Sequence, residues 1–180
     1  ETQDFGGQGD GFWLHGAGVE MEGNVVSGAT GHGYIYWMLG LVEKGSGELL
    51  VDVANLPNGD LIGPDGTMVR TKHVPVPTFD NNAAYAATTG LQIHYLHTDN
   101  RDDDALDLIE EGFLAAVPQE YEDQLKSTFE NSTYWNTSIS AVDAPYATRR
   151  EFDNITAYGT REPGTVGIRL NHFSNENDLT

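Results

Sequence analysis

Apolar and polar positions alternate with a period of two over most of the chain. Gly, Asn and Asp break the alternation at short intervals, a pattern of strands joined by turns. Phe12-Trp13-Leu14 and Val19 to Val26 read as an opening pair around Gly16 and Gly18. Tyr34 to Val42 (YIYWMLGLV) is apolar on both faces, as expected of a central strand covered on both sides. The Lys44–Gly47 turn leads into Leu49 to Leu56, where Leu49, Val51 and Val53 share a face. Pro57-Asn58-Gly59-Asp60 and Gly63-Pro64-Asp65-Gly66 predict turns. Met68 to Val76 follows, with Pro75 and Pro77 confining its end to an edge or an exit. Leu91 to Thr98 directs Leu91, Ile93 and Tyr95 inward. Tyr134 to Val142 places Trp135, Thr137 and Ile139 on one face, Phe152 to Tyr158 continues, and Thr165 to Phe173 turns Val166, Ile168 and Leu170 inward.

One segment departs from this period. After Asp102-Asp103-Asp104, the positions Leu106, Ile109, Phe113 and Val117 recur at helical spacing, and the acidic triplet suits a helix N-terminus. Pro118 ends that helix and can start a second, on which Tyr121, Leu125 and Phe129 align. No internal repeat or low-complexity linker is visible. The expectation is a mainly β protein, a single domain over 1–180: one jelly-roll or β-barrel-like sandwich with a short helical insertion at about residues 104–129.

Charge narrows the functional classes. The chain has 28 Asp and Glu against 9 Lys and Arg, a formal net charge of −19. Self-repulsion on that scale opposes compaction unless salt screens it, and the Debye length falls to about 3 Å at 1 M. The composition therefore predicts adaptation to high salt, with cations held non-specifically. It leaves no basic stripe for nucleic acid and no polybasic patch for anionic lipid. The absence of cysteine excludes disulfides, thiolate metal sites and cysteine nucleophiles. The longest apolar run, Tyr34 to Val42, is too short to span a bilayer as a helix, so no direct membrane insertion is expected. No signal-peptide pattern is present, and the start at Glu1 suggests a processed or natively purified chain, or simply a first residue left out. Sequons at Asn131, Asn136 and Asn154 suit an exterior surface.

Candidate chemistry is sparse. His94 and His97 are the closest histidine pair, but three residues apart on a strand they face opposite ways and cannot chelate one ion. His15, His32, His73 and His172 are scattered and read as half-buried polar residues. Asp99 to Glu110 has the acidic ends of a calcium loop, yet Arg101 occupies a ligand position and Asp104 the place of the essential Gly, which favours a solvated turn and helix cap. Gly6-Gly7-Gln8-Gly9 and Gly28 to Gly33 (GATGHG) lack the Gly-Lys-Ser/Thr ending of a phosphate loop. There is no G-x-S-x-G elbow. No catalytic, cofactor or metal residue set emerges, and the expectation is a non-enzyme. A cavity lined by His94 or His97 with Tyr34, Tyr36 and Trp37 is the alternative.

An acidic, cysteine-free, strand-rich chain of this size resembles a major capsid protein of a haloarchaeal virus. It is similar in character to the smaller of the two single-β-barrel capsid proteins of icosahedral, internal-membrane viruses. The resemblance implies upright jelly-roll barrels that self-associate and join a second coat protein in pseudo-hexameric capsomers, with no catalytic residues. It makes a coat subunit in a high-salt exterior or virion the expected function. An extracellular halophilic binding module or enzyme, and a host surface-layer or pilus-associated protein, are the alternatives.

Overall fold

The computed structural model describes residues 9–38, 42–43, 47–48, 50–56, 59–61, 63–70, 74–94, 96, 126–145, 147, 150–159, 165–170 and 177–179. Its strands repeat a three-beat order. The first coil is β1 (Phe12–Leu14), β2 (Met21–Glu22) and β3 (Val25–Ser27). The second begins with β4 (His32–Trp37) and makes an excursion through β5 (Val42–Glu43), β6 (Gly47–Glu48), β7 (Leu50–Asp52) and β8 (Met68–Arg70). It returns with β9 (Phe79–Asp80) and β10 (Ala83–Tyr85). The third is β11 (Thr89–His94), β12 (Ser127–Glu130) and β13 (Thr133–Trp135). The fourth is β14 (Ser140–Asp143), β15 (Arg150–Asp153) and β16 (Thr156–Tyr158), and β17 (Val166–Arg169) and β18 (Asn177–Leu179) belong to a fifth.

Equivalent strands of successive coils pair to make three sheets. The first is ordered β1-β4-β11-β14-β17, the second β2-β9-β12-β15-β18 and the third β3-β10-β13-β16. Every pairing within them is parallel; only the small β5–β6 and β7–β8 ladders are antiparallel. This is a parallel β-helix, a solenoid in which each coil stacks on the next. The protein is mainly β, as the alternation predicts. The jelly roll is not what is observed, because jelly-roll strands pair antiparallel.

The reason lies in the turns. Asn81-Asn82 and Asn131-Ser132 have residue types that hairpin turns also use, but a type I′ hairpin needs positive φ at both central residues. Here only the first has it: Asn81 at 53°, Asn131 at 48° and Asn154 at 52°, with Gly23 at 65° in the first coil. One left-handed residue bends the chain from the second sheet into the third without reversing it. A second left-handed column, Gly28, Ala86, Asn136 and Gly159, bends it from the third sheet toward the first. Two expected strands are divided by these bends: Tyr134 to Val142 at Asn136, and Phe152 to Tyr158 at Asn154.

The bends reveal a repeat that unequal spacing conceals in the sequence. Met21-Glu22-Gly23, Phe79-Asp80-Asn81, Phe129-Glu130-Asn131 and Phe152-Asp153-Asn154 occupy equivalent places in four coils. The expected helix over 104–129 lies largely outside the described residues. Its final part does not hold: Ser127–Glu130 is strand β12 and Phe129 is a buried core residue on it. Its ring finds neighbours in the adjacent coils, which a strand position supplies and an isolated turn of helix would not. Tyr95, His97 and the Asp99 to Glu110 run are outside the described residues.

The core fills the space between the three sheets. Phe79, Phe129 and Phe152 from the second sheet lie at centroid separations of 5.3 and 5.4 Å. Tyr34 and Tyr36 from the first meet Phe79 edge-on at 5.3 and 6.1 Å. Burying each such ring contributes about 2 kcal/mol or more. Leu91 and Ile93 point inward as expected, whereas Val166 is exposed. Tyr34 reaches across the core, its hydroxyl donating to the Asn24 carbonyl at 2.7 Å. Buried Asn82 accepts from the Asn24 backbone N–H at 3.0 Å and donates to the Met21 carbonyl at 2.9 Å, tying the first two coils together. Where coils meet at a corner there is no room for a side chain. A Cβ on Gly90 would stand 2.4 Å from the Tyr134 ring and 2.5 Å from the Ala141 carbonyl.

Candidate functional site

Strand alternation that turns Tyr34, Tyr36, Leu91, Ile93 and Val142 into the core turns their neighbours outward. On the outer face of the first sheet, register aligns Trp13, Ile35, Gln92, Asp143 and Arg169 in one row across five coils. Trp37 and His94 pair beside it, their rings 4.7 Å apart. Trp13 packs on His15 at 4.0 Å.

Two interactions organise this face. Arg169 grips Asp143 with both ends of its fork: Nε donates to Oδ1 at 2.9 Å and Nη2 to Oδ2. Asp143 is buried, and the hydrogen bond from Arg169 raises the arginine's own pKa further. Gln92 hydrogen-bonds His94 through its side-chain amide. Burial pushes the His94 pKa down to about 4, with nearby Asp143 opposing the shift, so the ring is neutral at ordinary pH. Burial also lowers the pKa of His15. The face thus offers aromatic rings and a neutral imidazole beside a carboxylate whose two oxygens are already engaged. That suits hydrogen bonding and stacking better than proton abstraction by Asp143. Among the described residues, no three His, Asp or Glu side chains converge to hold a metal ion.

The sequence-derived cavity lining is divided between the two faces. Tyr34 and Tyr36 are fully buried inside, Trp37 and His94 lie outside, and His97 is beyond the described residues. Of the other histidines, His32 binds Asp10, with Nδ1 and Oδ1 2.8 Å apart, while His73 and His172 fall outside the described residues. The GATGHG stretch forms the corner after β3 and runs into the first two residues of β4. The sequon residues Asn131 and Asn154 are engaged in a ladder: Asn154 donates to Asn131 at 2.8 Å, and Asn131 donates to Asp80 at 2.7 Å. Asn136 stands apart in the second left-handed column.

Sequence reasoning missed two further columns. Glu22, Asp80, Glu130 and Asp153 align in register on the outer face of the second sheet, four carboxylates on four successive coils. Tyr85, Trp135 and Tyr158 align on the third sheet, their rings stacked at 4.4 and 5.9 Å. The stacked faces are spent on one another, so this ladder presents mainly ring edges outward. The recurrent aromatic–acid–Asn tripeptide was the available signal for the acidic column. Comparison with family models, with curated proteins and with solved structures finds no match.

Proposed function

We propose that this chain is a structural subunit of a high-salt exterior assembly, a coat or surface solenoid rather than an enzyme. The observation that carries the reading is the in-register column Glu22-Asp80-Glu130-Asp153. Like charges directly opposed on neighbouring strands destabilise a sheet in dilute buffer. Screening by molar salt removes most of that cost and also lets acidic subunits approach each other. The polar groups of the first sheet support the same reading, because Asp143 and Arg169 bind each other. A virion coat is the form that the sequence resemblance implies. In this form the solenoid's stacked faces, in place of upright barrels, meet further copies and a second coat protein.

The test is molar mass by light scattering on a sizing column, in roughly 3 M and then 0.1 M salt, a contrast set by the screening length. The expected result is an assembly at high salt that dissociates at low salt. A monomer of unchanged mass in both sinks the proposal. The outer row of Trp13, Gln92 and Asp143, with Trp37 and His94 beside it, supports a second reading as an extracellular binding module for a polar, ring-bearing ligand such as a carbohydrate. Retardation on a polysaccharide gel, lost in Trp37→Ala, would favour it.

A further inference from the structure

The three Asn-x-Ser/Thr sequons differ in what surrounds them, although Asn131, Asn136 and Asn154 all stand at left-handed corners, with φ of 48°, 55° and 52°. Asn131 and Asn154 share one column, where Asn154 Nδ2 donates to Asn131 Oδ1 and Asn131 Nδ2 donates to Asp80 Oδ1. Each amide nitrogen is engaged, and the next side chain of the column is only about one strand spacing, 4.8 Å, away. The third residues of these sequons, Thr133 and Thr156, open β13 and β16 and donate their backbone N–H to the Asn82 and Ser132 carbonyls. Asn136 is exposed, and its side-chain amide has no partner among the described residues. Its backbone N–H donates to the Tyr158 carbonyl at 3.2 Å, which fixes the corner and leaves the side chain free. Its neighbours in the second left-handed column are Ala86 and Gly159, so no long side chain flanks it there. A Cβ on Gly159 would meet only the Asn136 backbone nitrogen, at 3.8 Å. The whole sequon, Asn136-Thr137-Ser138, lies in the link between β13 and β14.

We propose that Asn136 is the N-glycosylation site of this chain and that Asn131 and Asn154 stay unmodified in the fold. The co-substrate is an oligosaccharide joined through its anomeric carbon to a polyprenyl phosphate or diphosphate. Asn136 Nδ2 forms a bond to that carbon, and the carbon–oxygen bond to the lipid phosphate breaks. The phosphate departs with the bonding electrons, and Nδ2 gives up one of its two protons. An N-linked glycan is bulky and hydrated, so it needs a free amide with open space around it. At Asn131 or Asn154 the sugar would have to displace the ladder that ties the second-to-third corner. At Asn136 it projects from the third-to-first corner, away from the acidic column on the second sheet. The site does not depend on the assembly proposed above.

The experiment incubates the folded chain with an oligosaccharyltransferase that accepts plain Asn-x-Ser/Thr sequons and with its polyprenyl-linked oligosaccharide. Glycopeptides are then mapped by mass spectrometry. The expected result is a single glycan, on Asn136. Ser138→Ala keeps the left-handed asparagine, removes the hydroxyl that completes the sequon, and is expected to abolish the modification. Short peptides spanning each sequon, which lack the ladder, are expected to be modified at all three asparagines. An unmodified folded chain overturns the inference, and so does a glycan on its Asn131 or Asn154. Peptides that reproduce the preference for Asn136 also overturn it, because local sequence and not the corner would then make the choice.

Discussion

Glu130 is the most informative single position in the acidic column, because it lies between Asp80 below and Asp153 above. Neighbouring strands are about 4.8 Å apart, and modest splaying puts adjacent carboxylates at about 6 Å. In water each such pair repels by about 0.7 kcal/mol, and Glu22 two coils away adds about 0.4 kcal/mol. Screening at 0.1 M, where the Debye length is about 10 Å, leaves about 1 kcal/mol in total for Glu130. At 1 M only about 0.2 kcal/mol remains. Glu130→Gln keeps the shape and removes the charge, so it is expected to stabilise the fold by about 1 kcal/mol in 0.1 M salt. For a chain of this size that is a rise in Tm of about 2–4 °C. In 3 M salt the substitution should be neutral. Circular dichroism melts of the two proteins at the two salt concentrations read the effect directly. An equal shift at both concentrations would show that the column is not governed by screened repulsion, and a loss of stability at 0.1 M would reverse the argument's sign.

Other positions test the stacking itself. Asn131 combines a left-handed backbone with two ladder hydrogen bonds, so Asn131→Ala should cost about 2 kcal/mol in urea unfolding and Asn131→Gly about 1 kcal/mol less. Equal losses would show that the backbone conformation contributes nothing. Ala86, at φ 54°, is an L residue in the same left-handed region, and Ala86→Gly should raise stability by about 0.5 kcal/mol, with a fall refuting the strain. Gly90→Ala places a methyl against Tyr134 and a carbonyl and should cost about 2 kcal/mol or more, measured by the same unfolding. His94 has a folded pKa of about 4, against 6.5 when unfolded. The unfolded chain therefore binds the proton more tightly. The stability this group confers is complete above pH 6.5 and declines as pH falls toward 4. His94→Gln should flatten the wild-type slope across that window, and an unchanged slope would refute the assignment.

Much of the local structure was legible because it depends on one strand at a time. The alternation that put Leu91 and Ile93 inward needs only a covered face, and the structure covers it. Strand direction was not legible, because Asn81-Asn82 and Asn131-Ser132 have the residue types of a reversing hairpin and of a solenoid corner alike. The choice between them rests on whether Asn82 and Ser132 adopt positive φ, and they do not. Phe129 shows the same limit from the other side. Its spacing from Tyr121 and Leu125 fits a helix, while its stacking on Phe79 and Phe152 needs neighbours distant in sequence. Asp143 and Arg169 were silent for that reason too, since pairing across coils leaves no short motif.

The repeat was hidden by where the chain leaves the coil. The links from the first sheet to the second, from β4 to β9, β11 to β12 and β14 to β15, differ in length. The other two corners are each fixed by a left-handed column, and the second-to-third corner is further tied by the Asn131–Asn154 ladder, so an insertion there would break stacking in the coils above and below. At the first-to-second corner an insertion leaves those ladders intact, and a longer closed loop adds little entropic cost. Trp37, His94, Asp143 and Arg169 are the last residues of β4, β11, β14 and β17, so the polar patch of the first sheet lies at the strand ends from which the chain leads to the second sheet. A rigid strand end beside a corner that tolerates variation is where recognition can change without disturbing the fold. Whatever this solenoid contacts through that face, the solenoid core fixes the residues on one side of the contact while the chain between coils remains open to change.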